Sequence, residues 1–307
     1  MTAPFGVLLM AYGSPATPDD VEAYYTHIRG GRTPSPELIE GLRQRYQRIG
    51  GRSPLLEITQ RQAQGVQQGL DRLGLRAGVY VGMKHAPPFI ADAVAAMAHD
   101  GIRGMVGIAL APQFSRMSVG TYQTMAASSA ARHGISFHCV ESWHDHPGLI
   151  RALAARVQEG QRKLADGQDV TVVFTAHSLP QRILESADPY PGELRETCEL
   201  VAAAAGVRRW RFAYQSASHT GEPWLGPDLL QVLRDMHRAG HRQVIVSTVG
   251  FVADHLEVLY DIDIEAQELA ASLGMHLERA PSLNDRSDFV TALVDLVRAN
   301  APDEVPR

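Results

Sequence analysis

Short apolar runs alternate along the chain with longer stretches in which apolar residues recur every three or four positions. The short runs, near 5–11, 78–82, 104–110, 135–140, 170–175, 210–214 and 243–248, predict strands, and the stretches between them predict amphipathic helices. Such alternation is the pattern of βαβ units, so the expected fold is α/β with parallel sheets. The clearest helix spans 36–49, "PELIEGLRQRYQRI", opened by Pro34, Ser35 and Pro36 and stopped by Gly50-Gly51. Its expected apolar stripe is Leu38, Leu42, Tyr46 and Ile49.

The two halves repeat one another faintly. "VLLMAYGSP" ends at Pro15 and "VVFTAHSLP" at Pro180, each an apolar strand followed by Ala, a polar ring, two small or apolar residues and Pro. Later in each half a second strand ends alike, in "GIALAPQFS" and in "VSTVGFVADH". Two similarly wound domains are expected, 1–143 and 144–285, with a C-terminal helix and tail over 286–307 and the break in "ESWHDHPGLI". Open α/β sheets bind ligands beyond the carboxyl ends of their strands, which would bring Tyr12, His177 and Glu257 to one cleft.

Composition narrows the function. Among 307 residues, 45% are hydrophobic and 21% charged, ordinary for a globular protein, and the length favours two domains. A net charge of −5 disfavours nucleic acid as the main partner. No apolar run is long enough for a transmembrane segment, and the first residues lack a signal-peptide pattern, so a cytoplasmic location is expected. Cys139 and Cys198, far apart and outside any CxxC spacing, read as two buried free thiols.

Against that background the charges are unevenly placed. Asp254, Glu257, Asp261 and Glu265 fall three and then four residues apart, which on a helix makes a row of carboxylates that repel one another. Water compensates such a row when it is a solvated face; a cation does so when it is a site. Glu257 follows Phe251, Val252 and Ala253, and a partly buried carboxylate is paired, protonated or metal-bound. Imidazole with carboxylate oxygens suits ferrous iron, and His177 stands just past a strand, although a lone histidine serves structure as readily. Between 29 and 61 seven arginines face three glutamates, either an exposed basic helix or a seat for a ligand with several carboxylates. His144 and His146 in "HDHP" read as a surface hinge, and "YQSASHTGEPWLGPD" at 214–228 as a long loop of unassigned function. Nucleotide-binding, zinc-protease and serine-hydrolase motifs are missing.

The segment "FTAHSLPQRILESADPY" resembles the ferrochelatase signature, with Asp188 and Tyr190 closing it. "YQSASHTGEPWLGPD" and "VGFVADHLEVLYDID" are similar to two further blocks of that family, in the right order. "MAYGSP", "YYTHIRGGRTP" and "RYQRIGGRSPL" carry the resemblance to the N-terminus, so it covers nearly the whole chain.

The resemblance implies a chelatase fold of two Rossmann-like domains with parallel sheets and an active-site cleft between them. It implies insertion of Fe2+ into a porphyrin in heme biosynthesis, a lyase reaction. His177 and Glu257 match the family's catalytic pair and would also meet the metal, with Asp261 and Glu265 extending that site outward to conduct iron in or protons out. Tyr12 matches the tyrosine that coproporphyrin-type members place on the opposite face of the macrocycle, and Arg29, Arg45, Tyr46, Ser53 and Tyr122 match their porphyrin-contacting set. Coproporphyrin III has four propionates where protoporphyrin has two, so the arginines favour it independently. A protoporphyrin ferrochelatase, a cobalt chelatase of sirohydrochlorin-type rings and a non-catalytic heme-binding carrier are the alternatives. No permanently bound cofactor and no iron–sulfur cluster is expected, because cluster-bearing relatives have a cysteine-rich extension where this chain reads "ANAPDEVPR". A transient downstream heme-pathway enzyme would receive the product. The carboxylate row would also favour a local π-turn.

Overall fold

A computed structural model describes residues 5–164, 170–218 and 221–301, so part of the expected C-terminal tail, 302–307, and residues 219–220 of the long loop lie outside the described residues. Eight strands are described: β1 (Phe5–Ala11), β2 (Ala77–Met83), β3 (Gly104–Ala109), β4 (Ser136–Val140), β5 (Thr171–His177), β6 (Trp210–Gln215), β7 (Gln243–Thr248) and β8 (His276–Arg279). They form two four-stranded parallel sheets with one winding, β2-β1-β3-β4 and β6-β5-β7-β8. The internal repeat thus has a structural meaning. β1 and β5 hold the same place in their sheets, so Tyr12 and His177 leave equivalent strand ends, and "GIALAPQFS" and "VSTVGFVADH" are the ends of the equivalent strands β3 and β7.

The helices of the first half are α1 (Val21–Ile28), α2 (Pro36–Arg48), α3 (Leu55–Arg72), α4 (Ile90–His99) and α5 (Val119–His133). Those that follow are α6 (Pro147–Lys163), α7 (Tyr190–Ala205), α8 (Leu229–Arg238), α9 (Leu256–Tyr260), α10 (Gln267–Ser272) and α11 (Ser287–Asn300). The central strands are buried on both faces, which is why they read as continuous apolar runs. β8 has no such run: His276 is exposed and Glu278 and Arg279 are half-buried, so the apolar pattern passes over this short edge strand.

One apolar layer joins the halves. Val7 and Leu9 of the first sheet and Phe174 and Ile245 of the second belong to the same buried cluster as residues of α3, α6, α7 and α11. α11 crosses back onto α3, where Gly65 and Gly69 leave room for Val290 and Val294; a Cβ on Gly69 would come within 2.5 Å of Val294. Full burial of each such aliphatic side chain contributes about 1.5–3 kcal/mol.

Helix α2 starts and stops where the sequence places it, with Ser35 accepting a hydrogen bond from the Leu38 amide. Its buried face differs from the expected stripe. Leu38 is exposed, and Ile39 takes its place beside Tyr46, packed with Val21 of α1 and Leu256 of α9. Both readings satisfy helical spacing; contacts with α1 and α9 decide between them. The "HDHP" segment is not a surface hinge either. The His146 side chain caps α6, and His144 is mostly buried between Ser142, Glu193 and Glu196. Cys198 is buried as expected, whereas Cys139 is only half-buried.

Candidate active site

His177 is the last residue of β5, and Tyr190 fixes its backbone by donating its hydroxyl to the His177 carbonyl at 2.9 Å. The ring Nδ1 contacts the Ser178 carbonyl. A carbonyl only accepts, so Nδ1 carries a proton and Nε2 is turned to Glu257, 3.4 Å from Oε1. Burial alone would lower the pKa of His177, but the Glu257 carboxylate overrides it and lifts the value to about 9. Burial would likewise raise Glu257, and His177 holds it well below the usual carboxylate range. The resting pair is imidazolium and carboxylate.

A second imidazole, unnoticed in the sequence, completes this group. His255 also commits Nδ1 to a carbonyl, that of Ala253 at 3.0 Å, and presents Nε2 to the other oxygen of Glu257 at 3.5 Å. The signal was the spacing His-x-Glu at a helix start. His255 precedes α9 in an extended conformation, so its ring can approach the side of the chain that carries Glu257.

Beyond Glu257 the helix widens into a π-turn, Asp261–Ala266, as the carboxylate spacing implied. In an α-helix a fourth residue lies about 40° past the first, and a wider turn reduces that drift. Asp261, 8% exposed, accepts a hydrogen bond from Ser216; burial and then the charge of Glu257 raise its pKa to about 6. Glu265 is half-buried one turn outward. Asp254 does not belong to the row. It precedes α9 and accepts hydrogen bonds from Arg279, Ser282 and Asn284, which hold its pKa down against the effect of burial.

The opposite wall begins at Tyr12, just past β1. Gly13 makes the turn possible: its φ is +93°, and a Cβ there would meet the Ala86 backbone nitrogen at 3.0 Å. The Tyr12 ring lies 4.6 Å from that of His85, with Lys84 above it. Although 40% of Tyr12 is exposed, its hydroxyl is desolvated enough to raise its pKa, and the charge of Glu257 adds to the rise. Tyr12 is therefore close enough to Glu257 for that charge to act on its hydroxyl. His85 in turn meets His27 of α1 at 3.0 Å, Nδ1 to Nδ1.

The expected porphyrin contacts divide into two groups. Arg29 and Arg45 are exposed, each over a tyrosine ring (Tyr25 at 6.0 Å, Tyr260 at 4.9 Å); the charge of Arg45 also reaches Asp261, partly offsetting the rise in its pKa. Tyr46, Ser53 and Tyr122 are buried: Tyr46 packs in the small core of α1 and α2 and hydrogen-bonds Tyr24, Ser53 accepts from the Leu55 amide, and Tyr122 lies beneath Lys84. All three are thus nearly closed to solvent, and the Glu257 charge reaches both Tyr46 and Tyr122. Nor is the basic segment uniformly available, since Arg48, Arg52 and Arg61 pair with Glu268, Glu57 and Asp285.

The halves are joined beside the site by Asp188, 7% exposed, which accepts from Ser115 Oγ at 3.1 Å and the Arg116 amide at 2.9 Å across the junction. The site thus combines twin parallel sheets, a histidine–carboxylate pair at the end of β5 and a tyrosine at the equivalent end of β1.

The ferrochelatase family model matches residues 4–301. The coproporphyrin III ferrochelatase of Halalkalibacterium halodurans is 42% identical over 297 residues, covering 95% of this chain and 96% of that protein. The ferrochelatase of Thermus thermophilus is 46% identical over 315 residues, covering 96% and 99%. Among solved structures, SirB from Bacillus subtilis with Fe3+ shares the fold at a TM-score of 0.61 and 11% identity, covering 98% of this chain and 97% of that one. The chain belongs to the ferrochelatase family.

Proposed function

We propose that this ferrochelatase inserts Fe2+ into coproporphyrin III, giving coproheme for heme biosynthesis. The observation that carries the reading is the His177–Glu257 pair, with Tyr12 near enough to feel the Glu257 charge. Metallation must strip water from Fe2+ and remove two pyrrole protons from a flat ring whose nitrogens are hidden until it is distorted. Glu257 offers oxygens and His177 a nitrogen to the incoming ion. Because the pair already holds a proton on His177 at neutral pH, metal arrival expels that proton first. The freed imidazole or the carboxylate then accepts a proton from a pyrrole. Asp261 and Glu265 lead outward from the pair, a route for iron inward or protons outward.

Tyr12, the exposed Arg29 and Arg45, and the coproporphyrin III ferrochelatases among the relatives support coproporphyrin as substrate. Relatives from Thermus and Deinococcus named only as ferrochelatases keep protoporphyrin as the second reading. The reading needs no resident cofactor. No described helix is long and apolar enough to cross a membrane, and the reaction is taken to occur in the cytoplasm. Anaerobic assays with Fe2+, each porphyrin and catalytic protein test it. Many turnovers with coproporphyrin III at a higher kcat/KM than with protoporphyrin are expected. A yield limited to one metalloporphyrin per chain would make the protein a carrier.

A further inference from the structure

The long loop after β6 remains without a role, yet the last residue of the strand and the first of the loop hold the carboxylate helix at two points one turn apart. Gln215, the register neighbour of His177, donates its Nε2 to the Glu257 carbonyl at 3.2 Å. Ser216 donates its hydroxyl to Oδ2 of Asp261. The two contacts bracket the junction where α9 gives way to the π-turn. We propose that Gln215 and Ser216 are positioning residues that set the carboxylates of Glu257 and Asp261 against His177 and thereby determine affinity for the divalent metal substrate.

Two independent features of these residues fit work beyond stability. Ser216 has φ +62°, a left-handed conformation that a non-glycine side chain seldom adopts and that clusters at functional sites. Gln215 is 2% exposed, and its Oε1 is buried without a hydrogen-bond partner among the described residues. An unpaired buried acceptor costs stability, so the position is not optimised for folding alone. The Ser216 hydroxyl also decides which oxygen Asp261 offers. With Oδ2 engaged, Oδ1 is the oxygen available to a cation. The spacing of the metal-facing oxygens then depends on a strand of the sheet, not on the helix that bears them.

This inference rests on the reading of the cleft as a metallation site, and the experiment separates the two. Ser216→Gly removes the hydroxyl while accommodating the positive φ, so the protein is expected to fold with an undiminished Tm. Steady-state insertion of Fe2+, and of Zn2+ as a second metal, should show the KM for metal raised about tenfold, the worth of a hydrogen bond to a charged group. The KM for coproporphyrin should stay within twofold. Ser216→Thr, which restores the hydroxyl, should recover most of the loss, and Gln215→Met should follow Ser216→Gly. A wild-type metal KM in Ser216→Gly, or a Ser216→Thr variant as impaired as Ser216→Gly, would overturn the proposal. Failure of the wild-type protein to metallate coproporphyrin at all would instead overturn the reading beneath it.

Discussion

Replacing Asp261 by Asn is expected to stabilise the protein while weakening metal delivery. The carboxyl is 8% exposed and lies near Glu257 and Glu265, so ionising it in the folded state is costly, and its pKa rises from 3.8 to about 6. At about 1.4 kcal/mol per tenfold change, that displacement is worth at most about 3 kcal/mol. The sign follows from the direction. Below pH 3.8 the group is protonated in both states and contributes no difference. As pH rises to about 6 the unfolded chain ionises it more readily, and native stability is lost. Asparagine keeps an oxygen for the Ser216 hydroxyl and removes the charge. Urea unfolding of both proteins should give a gain for the variant of about half the full value at pH 5 and about 3 kcal/mol at pH 7.5. A variant equally favoured at both pH values, or less stable than wild type at pH 7.5, would refute the claim that the fold resists this charge.

Other perturbations address the remaining groups. Glu257→Gln removes the charge that holds a proton on His177, so the histidine titration, followed by NMR, should fall from about 9 to below the ordinary 6.5, where burial alone would put it; a value still near 9 would assign the shift to another neighbour. In the wild type, the metal KM should decrease as pH rises towards 9, because iron then no longer competes with that proton; a flat profile would show that His177 is not in the metal's way. Asp188→Ala leaves the Ser115 hydroxyl and the Arg116 and Tyr190 amides without their acceptor and should cost about 3–5 kcal/mol in denaturant unfolding. A loss below about 1 kcal/mol would mean that water replaces it. Arg29→Ala and Arg45→Ala should each weaken binding of coproporphyrin more than of protoporphyrin in fluorescence titrations, and equal losses would remove the propionate argument.

Much of the frame was legible because the forces that make it are local. The four central strands β1, β3, β5 and β7 bury both faces or nearly so, and β2, β4 and β6 still carry enough apolar residues to read as runs; β8 escaped because Glu278 and Arg279 are engaged by Lys163, Asp254 and Asp263, which are distant in sequence. Leu38 and Ile39 fit the same helical period, and only the positions of α1 and α9 select Ile39 for burial. His255 was missed because helical spacing sets residues 255 and 257 on different faces, and it is an extended residue before the helix that brings them together. Ser216 could not be anticipated at all, since nothing in a serine announces a positive φ.

The acidic segment shows why a site is harder to read than a fold. Its charges invite a single answer, water or a cation, yet each carboxylate is managed differently. Arg279, from β8, takes Asp254 and Asp263 together. Glu257 lies between two imidazoles, one from β5 and one from its own helix start. Asp261 is pushed towards its neutral form and bound by Ser216, just past β6. Glu265 is left half-buried at the outer end. Once Arg279 has taken Asp254 and Asp263, the carboxylates without an arginine of their own are Glu257, Asp261 and Glu265, and on the reading proposed above it is this remainder, not the whole row in the sequence, that a cation would follow.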